Sequence, residues 1–214
     1  MSGSKISIID HGTGNLFSVA SALEKLGAQP EFISKPEDVL KSERIILPGV
    51  GAFADGMRAL EKLGLVEVLR EAANNRPLLG ICLGMQMLFE ESEEMGATNG
   101  LGLIDGKVCR IPNKTKDNKS IKIPHIGWNS LELSNNEVDW QGTVLQGIKP
   151  KESVYFVHSY VPVLSNNENC IAETIYGDNK LSIAVKNGHV SGCQFHPERS
   201  GPTGLKILSN FINE

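Results

Sequence analysis

The sequence predicts an α/β fold with an open, mostly parallel central sheet flanked by helices and an antiparallel β portion added in the second half. In the first half, short apolar strand runs alternate with apolar residues at helical spacing. Helical periodicity is absent between about residue 100 and residue 200, where strand-like runs occur instead. The 214 residues are 40% apolar and show no internal repeat or long linker. We therefore expect residues 1–214 to form one domain.

The predicted elements of the first half are repeated βα units. Apolar residues recur at helical spacing from Asn15 to Leu26, and Gly27 ends that helix. A second helical pattern covers residues 52–73 and is interrupted at Gly64. The predicted strands are Lys5–Asp10, Glu31–Ser34, Arg44–Leu47 and Pro77–Cys82, and a helix, Leu83–Glu93, follows the last of them. Repeated βα units imply parallel strands covered by helices on both faces.

The second half is predicted to be mainly β-structure. Its strand-like runs are Lys107–Ile111, Ser153–Val161, Ile171–Tyr176, Leu181–Lys186 and His189–Phe195. Asn187-Gly188 between the last two runs predicts a hairpin with a type I′ turn. Residues 113–120 (NKTKDNKS) are polar and predict a mobile surface loop. A final helix is expected from about Gly204 to Ile212.

Composition excludes several classes of function. Lys plus Arg is 21 against 25 for Asp plus Glu, and the net charge of −4 argues against a general nucleic-acid binder. The four cysteines form no C-x-x-C pair and have no histidine at zinc-finger spacing, so neither a metal site nor a disulfide framework is expected. No apolar run approaches the roughly 20 residues of a membrane helix, and the first strand is too short for a signal peptide. We expect a soluble cytoplasmic protein without a membrane partner.

The segment 77–86 (PLLGICLGMQ) contains the sharpest chemical signal. A strand runs into Gly-x-Cys-x-Gly and then into a helix, which is the cysteine form of a nucleophile elbow. Gly80 and Gly84 leave room in the tight turn, and the thiol of Cys82 is placed at a helix N-terminus, which favours the reactive thiolate. Cys82 is the candidate nucleophile, and a small buried core residue is the alternative. The other cysteines are expected to fill the core: Cys109, Cys170 and Cys193.

The segment 194–198 (QFHPE) supplies a candidate base and a group to orient it. Residues i and i+2 of an extended segment point the same way, and Pro197 keeps His196 extended. Glu198 can then accept a hydrogen bond from one ring nitrogen of His196 and leave the other for the thiol. A surface histidine beside a solvated carboxylate is the alternative. Three rival bases lack a carboxylate two residues further on, and a fourth is expected to be exposed in a strand: His11, His125 and His158, and His189.

Acyl chemistry also needs donors for a developing oxyanion. The backbone N–H of Leu83, directly after the candidate nucleophile, is one. The turn 48–51 (PGVG) is a second, because its glycines leave backbone N–H groups unshielded, although a plain turn has the same sequence. The segment 12–14 (GTG) lacks the third glycine of a dinucleotide-binding motif, since residue 17 is Phe. We expect no cofactor.

Two motifs together, 80–86 (GICLGMQ) and 196–198 (HPE), resemble those of the class I (triad) glutamine amidotransferases. Three further segments narrow the resemblance to the glutaminase subunits of imidazole glycerol phosphate synthase: 10–16 (DHGTGNL), 48–51 (PGVG) and 124–129 (PHIGWN). The resemblance covers essentially the whole chain, and it implies a flavodoxin-like arrangement of the sheet.

The resemblance implies hydrolysis of L-glutamine to L-glutamate and ammonia. Cys82 would attack the amide and form a γ-glutamyl thioester, which water then hydrolyses. His196 would serve as base and acid, oriented by Glu198, and the backbone of Val50 and Leu83 would hold the oxyanion. The residues that match glutamine-binding segments of the family are Gly49, Gly51, Gln86, His158, Ser159 and Tyr160.

The resemblance also implies a heterodimer in which the ammonia passes to a (β/α)₈-barrel cyclase subunit of L-histidine biosynthesis. Asn15, Trp128 and Arg199 match positions that face this partner. The chain departs from the family at His11, where tyrosine is usual, and at Arg199, where lysine is common. Two alternatives are a paralogous subunit that supplies ammonia to a barrel-like partner for cell-surface sugar amidination, and a cysteine hydrolase of γ-glutamyl substrates.

Overall fold

The computed structural model describes residues 3–134 and 139–214 and places an eight-stranded sheet at the centre of the molecule. Its strand order is β2-β1-β3-β4-β14-β13-β12-β9. The first five strands of this order are parallel, and the last three run antiparallel to their neighbours. The parallel part has the flavodoxin-like order, in which ligands bind beyond the carboxyl ends of the strands. The predicted fold class is thus confirmed.

The parallel half follows the predicted βα units closely. Its strands and helices are β1 (Lys5–Ile9), α1 (Leu16–Lys25), β2 (Gln29–Ile33), α2 (Pro36–Val39), β3 (Ile45–Gly49), α3 (Phe53–Lys62), α4 (Leu65–Ala73), β4 (Leu78–Cys82) and α5 (Leu83–Met87). Strands β3 and β4 are buried along their whole length, as expected of central strands covered on both faces. Gly64 adopts a left-handed conformation (φ 68°) and separates α3 from α4, where the sequence predicts an interruption.

The second half contains most of the antiparallel pairing. Its elements are β5 (Phe89–Ser92), β6 (Thr98–Asn99), β7 (Ile104–Arg110), β8 (His125–Ser130), β9 (Glu132–Leu133), β10 (Ser153–His158), β11 (Tyr160–Leu164), β12 (Cys170–Tyr176), β13 (Asn179–Asn187), β14 (Val190–Cys193) and α6 (Gly201–Ile212). Strands β8 and β10 form a separate two-stranded ribbon, and β11-β7-β5-β6 form a four-stranded sheet. The 113–120 loop is mainly exposed and carries one bridge, between Lys114 and Ser120.

Several predicted boundaries are wrong for identifiable reasons. The helix predicted over Leu83–Glu93 ends at Met87, because Phe89–Ser92 pairs with β6 and β7 and buries Phe89 and Ser92. The single strand predicted over Ser153–Val161 is divided at Ser159, since its two parts pair with different strands.

The hairpin between β13 and β14 is confirmed, but its turn lies one residue later than predicted. Asn187 pairs with Val190, so the loop residues are Gly188 and His189, and of these Gly188 has the positive φ of 57°. Two positive φ angles, as a type I′ turn requires, occur instead at Gly177 and Asp178 between β12 and β13.

Two clusters of buried apolar side chains cover the faces of the central sheet, and both include residues of the parallel strands. The cluster on one face contains Phe156, Phe195 and Phe211, and the cluster on the other contains Phe53 and Phe89. Within the described residues, no helix is both long and apolar enough to cross a membrane.

Candidate active site

Cys82 occupies a strained turn between β4 and α5. Its φ and ψ of 55° and −111° lie in a region that L-residues rarely adopt, as expected at a nucleophile elbow. A Cβ at Gly80 would lie 2.7 Å from the backbone of Met85, and one at Gly84 would overlap the Leu47 carbonyl. Both glycines are therefore required for the turn to close, and Cys82 is held at the carboxyl edge of the sheet.

His196 and Glu198 follow β14 and reach the same edge. Glu198 Oε1 lies 2.9 Å from His196 Nδ1, and both side chains are almost completely buried. The backbone N–H of His196 donates to the Tyr155 carbonyl at 2.9 Å, which anchors the segment to the β8–β10 ribbon. The predicted side-by-side placement of histidine and glutamate is present, and it leaves His196 Nε2 buried without a hydrogen-bond partner among the described residues.

The protonation of His196 is decided by its neighbours. Burial by itself lowers the pKa of an imidazole, but interactions with Cys82 and Glu198 outweigh burial and raise the pKa of His196 above its ordinary value. A histidine that holds a proton beside a cysteine favours the thiolate that attacks an acyl carbon. The carboxylate fixes Nδ1 as a donor, so Nε2 is the nitrogen that faces the thiol.

Gln194 is a site residue that the sequence analysis does not identify. Its fully buried side chain directs Nε2 at Cys82 Sγ, 3.8 Å away, and its Oε1 accepts a hydrogen bond from Gln86 Nε2 at 3.0 Å. Gln86 also donates to the Tyr160 carbonyl at 3.1 Å. The position of Gln194 two residues before His196 in an extended segment was the available signal, because alternate side chains share a face.

A cavity of about 290 Å³ opens beside the thiol. Its size is at the lower end of small-molecule sites and suits an amino acid. Nine of the predicted site residues line it: Val50, Gly51, Cys82, Leu83, Gln86, His158, Ser159, Tyr160 and His196. Gly49 does not; it pairs with Cys82 in the sheet, and a Cβ there would lie 3.0 Å from Leu83. Glu198 lies behind His196.

Glu94 is a second residue that lines the cavity and is missed by the sequence analysis. One carboxylate oxygen accepts a hydrogen bond from the Phe53 backbone N–H at 2.7 Å, at the start of α3. Glu94 directly follows the helix that the sequence predicts over Leu83–Glu93. In the structure it follows β5 instead, and the pairing of β5 brings it to the cavity. A carboxylate here can bind a cationic group of a ligand.

The β8–β10 ribbon forms one wall of the cavity, called here the ribbon wall, and carries two buried histidines: His158 lines the cavity, and His125 contacts His158 from outside the lining. His125 Nδ1 lies 3.0 Å from His158 Nε2, and His158 Nδ1 lies 2.9 Å from the Tyr160 carbonyl. Burial lowers the pKa of His125 to about 4 and that of His158 to about 3, so both rings are neutral at physiological pH. His158 lines the cavity, but both of its ring nitrogens are engaged by the protein.

The other rival bases are placed differently. His11 is buried with Nε2 2.8 Å from the Pro48 carbonyl and Nδ1 3.1 Å from the Thr13 hydroxyl, directly beneath the 48–51 turn. His189 is exposed in the β13–β14 turn. All four cysteines are free; Cys170 and Cys193 are buried, and burial raises the pKa of both thiols. Cys109 is only half-buried, so the prediction that it fills the core is wrong.

The residues predicted to face a partner are exposed. Trp128 is 59% exposed, and its ring packs edge-on against Tyr155 at 6.0 Å. The Arg199 guanidinium lies over the same Tyr155 ring at 4.8 Å, so these three side chains form a continuous surface. Asn15 is exposed at the start of α1 and makes no side-chain capping bond.

The fold and site define an open α/β protein with a cysteine at a nucleophile elbow, a histidine–glutamate pair beside it and a cavity for a small substrate. A family model, glutamine amidotransferase class-I, matches residues 7–214. The chain belongs to the class-I glutamine amidotransferase family.

Known relatives are similar over nearly their whole length. The chain is 45% identical over 210 residues to an imidazole glycerol phosphate synthase subunit HisH 1 of Legionella pneumophila (strain Lens), covering 98% of this chain and 99% of the relative. It is 46% identical over 210 residues to a HisH subunit of Methanosarcina acetivorans, covering 97% and 98%. Among solved structures, PurLQS from Thermotoga maritima shares the fold with a TM-score of 0.71 at 20% identity, covering 99% and 98% of the two chains.

Proposed function

We propose that this chain is the glutaminase subunit of an imidazole glycerol phosphate synthase and hydrolyses L-glutamine to L-glutamate and ammonia. The proposal rests on the placement of Cys82 and His196 together in a cavity of amino-acid size, with Glu198 hydrogen-bonded to His196 from behind. The near full-length similarity to HisH subunits supports the particular reaction. We treat residues 1–214 as one cytoplasmic amidotransferase domain.

The reaction uses His196 twice. The Cys82 thiolate attacks the amide carbon, and the negative charge that develops on the amide oxygen is held by the backbone N–H groups of Val50 and Leu83. Protonated His196 gives its proton to the nitrogen of the leaving group, so the C–N bond breaks, ammonia leaves and a γ-glutamyl thioester remains. Neutral His196 then takes a proton from water, which attacks the thioester and releases glutamate and the thiolate. Glu198 orients the ring throughout.

The remaining cavity residues bind the amino-acid part of glutamine. Glu94 places a carboxylate where it can bind the α-ammonium group, and Gln86 lines the same cavity. The segment from His158 to Tyr160 and the turn at Val50 and Gly51 complete the enclosure. A substrate without the α-ammonium group is therefore expected to bind poorly.

The ammonia is proposed to pass to a (β/α)₈-barrel cyclase subunit in a heterodimer. The apolar and cationic surface of Trp128, Tyr155 and Arg199 is proposed as the surface for this partner, and the exposed Asn15 is proposed as a further contact. Exposed tryptophan and arginine side chains are typical anchors of a protein–protein interface.

The test is glutamate release from glutamine by the chain alone, with the histidine-pathway cyclase, and with that cyclase loaded with its nucleotide ligand. We expect low release alone and strong stimulation by the loaded cyclase. High release that is indifferent to the cyclase would retain the glutaminase chemistry and contradict the partnership. Silence under all three conditions would contradict the proposal and direct attention to a paralogous barrel.

A further inference from the structure

The two neutral histidines on the ribbon wall belong to a hydrogen-bonded chain with one direction. The Tyr160 carbonyl can only accept, so the hydrogen of His158 is on Nδ1, 2.9 Å away. His158 Nε2 must then accept from His125 Nδ1–H at 3.0 Å. His125 Nε2 in turn accepts from the Asn129 amide at 3.4 Å, whose oxygen already accepts the Ser130 N–H at 2.8 Å. Each partner thus fixes the tautomer of the next.

The series of hydrogen bonds continues from the Tyr160 carbonyl to the thiol of Cys82 through two glutamine side chains. The Tyr160 carbonyl accepts a second hydrogen bond, at 3.1 Å, from Gln86 Nε2. Gln86 also donates to Gln194 Oε1 at 3.0 Å, which forces the amide nitrogen of Gln194 to face Cys82 Sγ. The Tyr160 carbonyl is therefore the point where the histidine pair and the two glutamines meet. Its position sets where Gln86 lies and, through Gln86, which atom Gln194 presents to the nucleophile.

Because its members are buried, this series of hydrogen bonds is sensitive to the loss of any donor. His125, His158 and Gln86 are 3%, 6% and 6% exposed, and Gln194 is fully buried. His125 is also held between two rings, Phe156 at 4.7 Å and Tyr176 at 4.1 Å. A buried polar atom without a partner is costly, so removal of one nitrogen leaves the next residue to find another arrangement.

The ribbon that carries both histidines has two different faces. His125 and His158 are paired across β8 and β10 and point inward, whereas Trp128 and Tyr155 are paired on the outer face. The proposed partner surface and the histidine pair are thus opposite sides of the same two strands. A shift of the ribbon on the outer face moves the donors on the inner face with it.

We propose that His125 and His158 are positioning residues for glutamine hydrolysis, which act as a single-tautomer pair that fixes the Tyr160 carbonyl and through it the amides of Gln86 and Gln194 beside Cys82. The inference rests on the proposed function, and it extends that function from the residues that touch glutamine to the pair that holds those residues in place.

The test compares variants that separate the ring from its hydrogen bond. His125→Phe keeps a flat ring between Phe156 and Tyr176 and removes both nitrogens, whereas His125→Asn keeps a donor close to the Nδ1 position. His189→Phe makes the same chemical change at an exposed histidine and serves as the matched control. Glutamate release is measured in the complex with the loaded cyclase. Histidine ¹⁵N resonances are recorded with and without the cyclase, because they report the tautomer without any activity.

We expect wild-type His125 and His158 to be neutral and to carry their hydrogen on Nδ1. His125→Phe should lower kcat/KM about fivefold, the effect of about one lost hydrogen bond, and shift the Nε2 resonance of His158. His125→Asn should restore kcat/KM to within about twofold of wild type, and His189→Phe should match wild type.

An Nε2–H tautomer of either wild-type ring would overturn the inference, and that measurement decides even where His125→Phe fails to fold. Equal losses in His125→Phe and His125→Asn would also overturn it, since packing would then be the cause. Failure of the wild type itself to release glutamate would contradict the proposed function instead, and the tautomers would still decide the geometry of the pair.

Discussion

The two walls of the cavity, a sheet wall formed by the segments that follow β4 and β14 and the ribbon wall formed with β8 and β10, carry histidines whose pKa values are shifted in opposite directions. On the sheet wall, Cys82 and Glu198 raise the pKa of His196 in spite of burial. On the ribbon wall, burial lowers the pKa of His125 and His158, which have only neutral hydrogen-bond partners. Burial is common to all three rings, so the partners and not the burial decide which histidine handles protons. The histidine of the sheet wall therefore takes part in proton transfer, whereas the histidines of the ribbon wall hold neighbouring groups in position.

Removal of the thiol should have the largest effect on the chemistry of the sheet wall. Cys82→Ala should reduce glutamate release by about a thousandfold or more, because no other group in the cavity can form the thioester. It should also lower the pKa of His196, since one of the groups that raise it is lost. Turnover in the cyclase complex and the NMR titration of His196 measure the two effects. Turnover close to wild type would remove Cys82 from its role.

A smaller loss is expected when the carboxylate behind His196 is replaced. Glu198→Gln should lower kcat by about a hundredfold and lower the pKa of His196, because the amide carries no charge and its nitrogen can face Nδ1. The same titration and steady-state kinetics check this. A loss as large as that of Cys82→Ala would give Glu198 a more direct part in the reaction, and an unchanged pKa would show that Glu198 does not set the protonation of the sheet wall.

The lowered pKa values of His125 and His158 should make the free energy of unfolding depend on pH. The folded-state pKa values of about 4 for His125 and about 3 for His158 lie below the ordinary value of 6.5. As the pH falls below 6.5, the unfolded chain therefore binds more protons at these histidines than the folded chain does. The free energy of unfolding decreases over the pH range from 6.5 down to the folded-state pKa values. His196 contributes with the opposite sign, because its stabilisation is complete below the ordinary pKa and is lost as the pH rises through the raised one.

His125→Phe separates the two contributions, because it removes one of the two histidines with a lowered pKa and leaves His196 in place. Between about pH 7 and about pH 5.5, wild type should lose about 1 kcal/mol more unfolding free energy than the variant. Urea unfolding at the two pH values measures the difference, with His189→Phe expected to behave as wild type. Equal pH sensitivity of wild type and His125→Phe would mean that His125 is not held neutral by burial.

The sheet wall could be predicted from the sequence because its signals are local. The glycines on either side of Cys82 and the spacing of His196 and Glu198 each act within a few residues. Strands β3 and β4 are buried apolar runs in repeated βα units, and parallel strands of such units have their carboxyl ends at one edge of the sheet. Only Gln194 was missed here, although the same alternation that pairs His196 with Glu198 brings it to the thiol.

On the ribbon wall, β10 lies within a predicted strand, but β8 could not be predicted, because its pattern of burial is reversed. In β8 the apolar Ile126 and Trp128 are exposed, while the polar His125 is buried, so the segment does not show the alternation of a strand with an apolar inner face. Glu94 was missed for a related reason. Glu90 and Glu91 favour helix, and only pairing with distant strands turns Phe89–Ser92 into β5 and carries Glu94 to the cavity.

The most direct test of the account is to trap the covalent intermediate. The complex with the loaded cyclase is mixed with glutamine, quenched in acid and digested, and the peptides are weighed by mass spectrometry. We expect a γ-glutamyl group on the peptide that contains Cys82, and none on the same peptide of Cys82→Ala. Steady release of glutamate without this adduct, or an adduct on the half-buried Cys109, would contradict the assignment of Cys82 as the nucleophile.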